Sequence, residues 1–151
     1  MNRQLPVLNL PPYPCRLSDD GSMIYDTLRR KFVVLTPEEW VRQHFVAYLT
    51  GTLGYPSGLM GNEVSLRLNN TARRSDTVVF DRTGRPWMLV EYKAPTVTVT
   101  QRVFEQIARY NIVMQARYLT VSNGLRHYCC RYESDGTYTY LPSLPPYPGA
   151  Q

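Results

Sequence analysis

The stretch Pro86-Trp87-Met88-Leu89-Val90-Glu91-Tyr92-Lys93 decides the architecture. Its centre is continuously apolar, as a strand buried on both faces should be, and such strands lie in the middle of sheets covered by helices. Its end changes character. Side chains alternate along a strand, so Glu91 and Lys93 point to one face and Tyr92 to the other. Just upstream, Asp81-Arg82-Thr83-Gly84 is a hairpin turn preceded by a strand over roughly Asp76 to Phe80. The turn lies about as far after Asp76 as before Glu91, so pairing of the two strands carries Asp76 to the Glu91–Lys93 end.

Further upstream, Glu63 to Leu68 alternates apolar and polar residues and reads as a half-buried strand, with Asn69-Asn70 as its turn. Before it, Thr36-Pro37-Glu38-Glu39 opens a helix. Thr36 suits the N-cap, Pro37 the first helical position, and Glu39 completes a capping box. The helix runs to about Leu49, with Val41, Phe45, Tyr48 and Leu49 as its apolar stripe and Gly51 as its stop. Met23 to Val34 carries no assignable pattern. Downstream, a second helix begins near Thr98 or Thr100 and extends to about Ala116, with Val103, Ile107, Tyr110 and Met114 at helical spacing. Strands follow over Tyr118–Val121, Leu125–Tyr132 and Thr137–Leu141, joined by turns at Asn123-Gly124 and Asp135-Gly136. This order predicts an α/β (α+β) domain with a central mixed sheet flanked by helices.

The chain's 151 residues suit one domain, and a hydrophobic content of 43% fills one core. We expect that domain over 23–141, between a proline-rich arm at 1–22 and a tail at 142–151. The arms share a motif: Leu10-Pro11-Pro12-Tyr13-Pro14 recurs as Leu144-Pro145-Pro146-Tyr147-Pro148. Both are expected to be extended, either packed on the domain or frayed; docking to a partner is the alternative. The net charge of +5 is compatible with a polyanionic partner. Cys15, Cys129 and Cys130 make an odd set with two adjacent members. That is no disulfide framework and cannot supply a four-cysteine iron–sulfur site; buried apolar cysteines in a reducing compartment are expected. No apolar run is long enough for a bilayer and no signal peptide is evident, so a soluble cytoplasmic protein without membrane contact is the expectation.

Convergence of Asp76 and Glu91 has a chemical meaning. Two carboxylates brought close together repel unless a divalent cation lies between them. Mg²⁺ or Mn²⁺ takes oxygen ligands, and the backbone carbonyl of Tyr92 can add one. Such a metal polarises a phosphodiester and lowers the pKa of an attacking water, and Lys93 can orient that water or neutralise developing charge. The structural alternative is an ordinary salt bridge between Glu91 and Lys93. Arg42, Arg73 and Arg74 are candidates for phosphate contacts, with Arg73-Arg74 immediately before Asp76. His44 and His127 lack metal-ligand spacing.

Asp76, fourteen intervening residues and Glu91-Tyr92-Lys93 together resemble the Asp…Glu-x-Lys signature of the PD-(D/E)xK nuclease superfamily. The element order is similar to that superfamily's restriction-endonuclease-like αβββαβ core. Gln106-Ile107-Ala108-Arg109-Tyr110 resembles the Gln-x-x-x-Tyr motif of its RecB-like branch, and its first and last residues share a helix face. Thr36 to Gln43 is similar to the start of the nuclease domain at the N-terminus of type I restriction enzyme R subunits. The resemblance implies a Mg²⁺- or Mn²⁺-dependent DNA endonuclease, with restriction-system subunits or a second copy as partners. It implies roles for Asp76, Glu91, Lys93, Gln106 and Tyr110, and for a glutamate of the first helix that helps hold the metal. We expect that glutamate to be Glu38, spaced with Val41 and Phe45 to face the sheet, since Glu39 is occupied by the cap. The first motif residue follows Arg74-Ser75 rather than proline. The chain carries no Gly-x-x-x-x-Gly-Lys-Ser/Thr loop, so the nuclease part is resembled and the motor is not. A catalytically silent nucleic-acid-binding or adaptor module on the same fold is the rival expectation.

Overall fold

The computed structural model describes residues 5–68 and 71–149, with main chain alone over 66–68 and 71–75. A hairpin of β1 (Met23–Asp26) and β2 (Lys31–Val34) precedes α1 (Pro37–Ala47), which passes into a π-helical turn at Tyr48–Thr52. There follow β3 (Met60–Leu68), β4 (Thr71–Phe80), β5 (Pro86–Tyr92), α2 (Gln101–Met114), β6 (Tyr118–Ser122), β7 (His127–Tyr132) and β8 (Tyr138–Leu141). Strands β3 to β8 form one six-stranded sheet in sequence order. Every neighbouring pair is antiparallel except β5 and β6, which run parallel. The mixed sheet follows from α2: a crossover helix is what returns a chain to start a parallel neighbour. The helix–three strands–helix–strand order is therefore as the sequence implies.

Strand β5 is central and carries the apolar run. Because its side chains alternate, each face of the sheet gets a core of its own. On one face Val79, Met88, Val90 and Tyr92 pack with Val41 and Phe45 of α1 and Leu49 of the π-helical turn. On the other Val78, Leu89, Leu119 and Val121 pack with Phe104 and Ile107 of α2. The adjacent cysteines divide between them, Cys129 in the first core and Cys130 in the second, both buried and unbridged. Burial pushes the Cys129 and Cys130 thiols up to about 11 and about 12, so they behave as small apolar side chains.

Three elements differ from expectation. Met23–Val34, which has no legible periodicity, is the β1–β2 hairpin. Strands β3 and β4 are longer than the sequence indicates, extending back to Met60 and Thr71; the expected turn at Asn69-Asn70 lies outside the described residues. The β6–β7 connection is wider than a two-residue hairpin, because Asn123 Oδ1 accepts hydrogen bonds from Leu125 N at 2.9 Å and Arg126 N at 2.8 Å and closes an Asx turn. Gly124 in that turn sits at φ +84°, where a Cβ would meet Leu8 at 2.7 Å.

Both proline-rich arms pack on the domain. Tyr147 is buried in the first core, where its hydroxyl donates to Phe80 O at 2.9 Å and its ring lies against Trp87 and Tyr55. Tyr55 in turn donates to Pro145 O at 2.5 Å. The N-terminal arm is tied by Asn9 N to Gly124 O at 2.8 Å, and His127 Nε2 donates to Asn9 O at 2.9 Å. No helix among the described residues is long and apolar enough to cross a membrane.

Candidate active site

The site forms where β4 and β5 leave the core. Their ladder pairs Thr77 with Val90, Val78 with Leu89 and Val79 with Met88. One step further along this register, Asp76 lies beside Glu91. The Asp76 side chain turns across the strand end, and Oδ2 accepts a hydrogen bond from Tyr92 N at 2.9 Å. Lys93 Nζ stands 3.8 Å from Glu91 Oε1. The hairpin count thus brings Asp76, Glu91 and Lys93 together. All three side chains are about a quarter to a third exposed, at 22%, 31% and 32%, so the group is partly desolvated yet open to a ligand.

Electrostatics follow from this crowding. Burial, then the neighbouring Asp76 carboxylate, pushes the Glu91 carboxyl up to about 8, with Lys93 drawing it back in part. Burial also raises the Asp76 carboxyl, against the opposing pull of the Tyr92 N–H and of Arg42. Each acid thus makes ionisation of the other less favourable.

Behind them lies a buried polar layer that sequence reasoning missed. Arg42, on α1, is almost wholly enclosed at 4% exposure. Its Nη2 is 2.5 Å from Glu63 Oε1 and 3.7 Å from Asp76 Oδ1, and its Nη1 is 3.4 Å from Glu39 Oε1. Glu39 also receives hydrogen bonds from Arg29 Nη2 at 3.0 Å and Gln43 Nε2 at 2.9 Å. Arg29 anchors Asp26 at the end of β1, and Asn62 donates to the same carboxylate. On the opposite face of β5 the Tyr92 hydroxyl bonds Thr77, which donates to Asn62 at 2.6 Å. The chain of contacts runs from the β1–β2 hairpin to the carboxylate pair without a break.

Two sequence expectations are corrected here. Glu38 is exposed and does not face the sheet; Glu39 does, buried beside Arg42. Thr36 caps the helix by accepting from Glu39 N at 3.0 Å. That bond uses only the main chain of Glu39, so capping leaves its carboxylate free to point inward. Arg42, expected at phosphates, is enclosed among three carboxylates and is not presented to a ligand from solvent. The side chains of Arg73 and Arg74 lie outside those described; their main chain pairs with Leu66 and Ser65. Gln106 is exposed on α2, and Tyr110 is half-buried against the second core. The signal for Glu63 is absent from its sequence position: it sits on β3 with φ +55°, beyond the reach of an alternation rule.

Among the described residues, no group of three or more histidine, cysteine, aspartate or glutamate side chains is arranged as a metal site. The Asp76–Glu91 pair offers carboxylate oxygens, the donor type that Mg²⁺ and Mn²⁺ take.

An α+β domain of nuclease-like architecture, with two acids and a lysine at the end of its central strand, is the class these features define. The chain belongs to the family described as type I restriction enzyme R protein N terminus, which it matches over residues 37–145. The match spans α1 through β8 and includes Asp76, Glu91 and Lys93. Membership ties the chain to restriction-related DNA processing. No curated protein matches the chain.

Proposed function

We propose that this domain is a metal-dependent DNA endonuclease that hydrolyses phosphodiester bonds in restriction or related DNA processing. The observation that carries the reading is the pairing of Asp76 with Glu91 beside Lys93 at the partly exposed end of β4 and β5, where burial and the neighbouring acid raise both carboxyls. A site that stabilises neither ionised state by itself is well matched to a divalent cation. Asp76 and Glu91, with the main-chain carbonyl of Tyr92, would hold Mg²⁺ or Mn²⁺. Bound there, the metal would supply Lewis-acid polarisation of the phosphodiester and a lowered pKa for water.

The remaining roles belong to the chain. Tyr92 N–H fixes the Asp76 carboxylate in orientation. Lys93, partly exposed next to Glu91, is placed to hold an attacking water or to meet charge that develops on phosphate. Gln106, exposed on α2, is a candidate substrate contact. Arg73 and Arg74, on the strand leading into Asp76, are the candidate phosphate contacts. The family match supports DNA as substrate and restriction-system subunits as partners; a second copy of the chain is the other partner proposed.

The test is cleavage of supercoiled plasmid with Mg²⁺ or Mn²⁺ by the full chain. We expect nicking or linearisation that is lost in Glu91→Ala and falls at least a hundredfold in Lys93→Ala. Metal-independent DNA binding without any cleavage would establish a silent binding module in place of the enzyme.

A further inference from the structure

We propose that Arg42 is a positioning residue of the Asp76–Glu91 site: a resident cation in the place of a second metal ion, limiting the site to one. The inference rests on the metal-binding reading above and assigns a role to a residue outside the carboxylate pair.

Three observations carry it. First, one nitrogen serves two elements, because Arg42 Nη2 faces both Glu63 Oε1 on β3 and Asp76 Oδ1 on β4. Together with Nη1 at Glu39, the guanidinium joins three carboxylates from three segments of the chain. Only a planar fork that is always charged can do this; a lysine ammonium is a single point. Second, the centre of the Tyr92 ring lies 5.7 Å from the guanidinium carbon, so the cation sits at the C-terminal end of the strand bearing Glu91. Third, Glu63 reaches Arg42 from a left-handed main-chain conformation, φ +55°. It falls between the paired positions Asn62–Thr77 and Val64–Ser75. Such a conformation is unfavourable for a non-glycine residue and concentrates at functional positions.

A purely structural role is a poor account of this group. Burying charges is costly, and apolar packing of similar volume is often as stable or more so. The arrangement is intelligible as electrostatics aimed at Asp76. Arg42 Nη2 stands 3.7 Å from Asp76 Oδ1, close enough in this enclosed layer for its charge to act on that carboxylate. A guanidinium there neutralises part of Asp76, turns away a second cation and weakens the hold on the first.

The experiment is a Mn²⁺ titration of the full chain, with free Mn²⁺ read by electron paramagnetic resonance and heat by calorimetry. Wild type binds one ion. Arg42→Gln binds Mn²⁺ about tenfold more tightly or takes up a second ion, since a unit charge next to the ligand is gone. Glu63→Gln, which leaves Arg42 to bear more fully on Asp76, weakens binding several-fold. The double variant, neutral in net change, returns to within about threefold of wild type. This sign separates the proposal from damage to the fold, which weakens metal binding and cannot tighten it. If Arg42→Gln does not fold, Glu63→Gln and the double variant still decide, because a Glu63 that is merely a ligand would leave the double variant weak. One ion bound by wild type, with Arg42→Gln folded and unchanged or weaker, overturns the role of Arg42 and leaves the metal reading intact. No Mn²⁺ bound by wild type overturns both.

Discussion

If Asp76 and Glu91 hold a metal as proposed, metal and proton compete for Glu91, and the size of that competition follows from the site. Burial and the Asp76 carboxylate hold the Glu91 carboxyl at about 8 in the metal-free protein. A cation binds the carboxylate form, so the proton must leave as the metal enters. Below pH 8 each unit of pH then changes the apparent affinity by about a factor of ten, and above it the dependence flattens. Between pH 6 and pH 8 the apparent Kd for Mg²⁺ or Mn²⁺ should tighten by about fifty-fold, the ratio of the deprotonated fractions of such a group at the two values. Calorimetric titration in two buffers of different ionisation enthalpy counts the proton directly, and close to one should be released per metal at pH 7. Glu91→Gln removes the titrating group and should leave a weak, pH-independent site. If wild type binds the metal with the same affinity at pH 6 and pH 8 and releases no proton, the coupled carboxylate pair does not hold the ion, and the reasoning from Asp76 and Glu91 fails.

The same shift acts on folding. The folded state holds the Glu91 proton more tightly than the unfolded chain does, so this group's contribution is present below the ordinary value of 4.5 and lost as pH rises through about 8. Metal-free protein should therefore show a falling urea midpoint across that window, and added Mg²⁺ should restore it at pH 8. Tyr147→Ala, which empties a ring from the first core, should cost about 3 kcal/mol in urea denaturation; Tyr147→Phe, which loses only the bond to Phe80 O, should cost about 1 kcal/mol. Glu38→Ala should leave stability within about 0.5 kcal/mol and cleavage unchanged, because its side chain is exposed. Glu39→Gln should lower both, because it leaves Arg29 and Arg42 short of a counter-charge. Equal effects of the two glutamate substitutions would contradict the burial difference between them.

The carboxylate pair was legible because it depends only on counting along one hairpin. The turn at Asp81–Arg85 fixes the β4–β5 register, and even the irregularity at Val79 and Phe80 leaves Thr77 opposite Val90. The first-helix glutamate was not legible, and its failure shares a cause with the unassigned segment before it. An amphipathic helix on a sheet buries one stripe, and by that rule Glu38 aligns with Val41 and Phe45. Helix α1 instead buries Glu39, Arg42, Gln43 and Val46 as well as Val41 and Phe45. The second buried face exists because the β1–β2 hairpin supplies Arg29 and Asp26 to it. Strands of four residues each give too short a period to detect, and without them Arg42 reads as a solvent-facing cation. Burial of Arg42 is thus a tertiary fact. It requires Glu39 from its own helix, Glu63 from β3 and Asp76 from β4 at once. A substitution that loosens the hairpin, such as Asp26→Ala, should therefore reach the proposed metal site from a distance. It removes the acceptor of the Leu28 and Arg29 amides and of Arg29 Nε, frees Arg29 from its anchor and unsettles Glu39 against Arg42. Loss of about 3 kcal/mol of stability is expected, together with weaker Mn²⁺ binding by protein that is still folded. Unaltered Mn²⁺ affinity in folded Asp26→Ala would show that the polar layer ends at Glu39 and that the hairpin serves the fold alone.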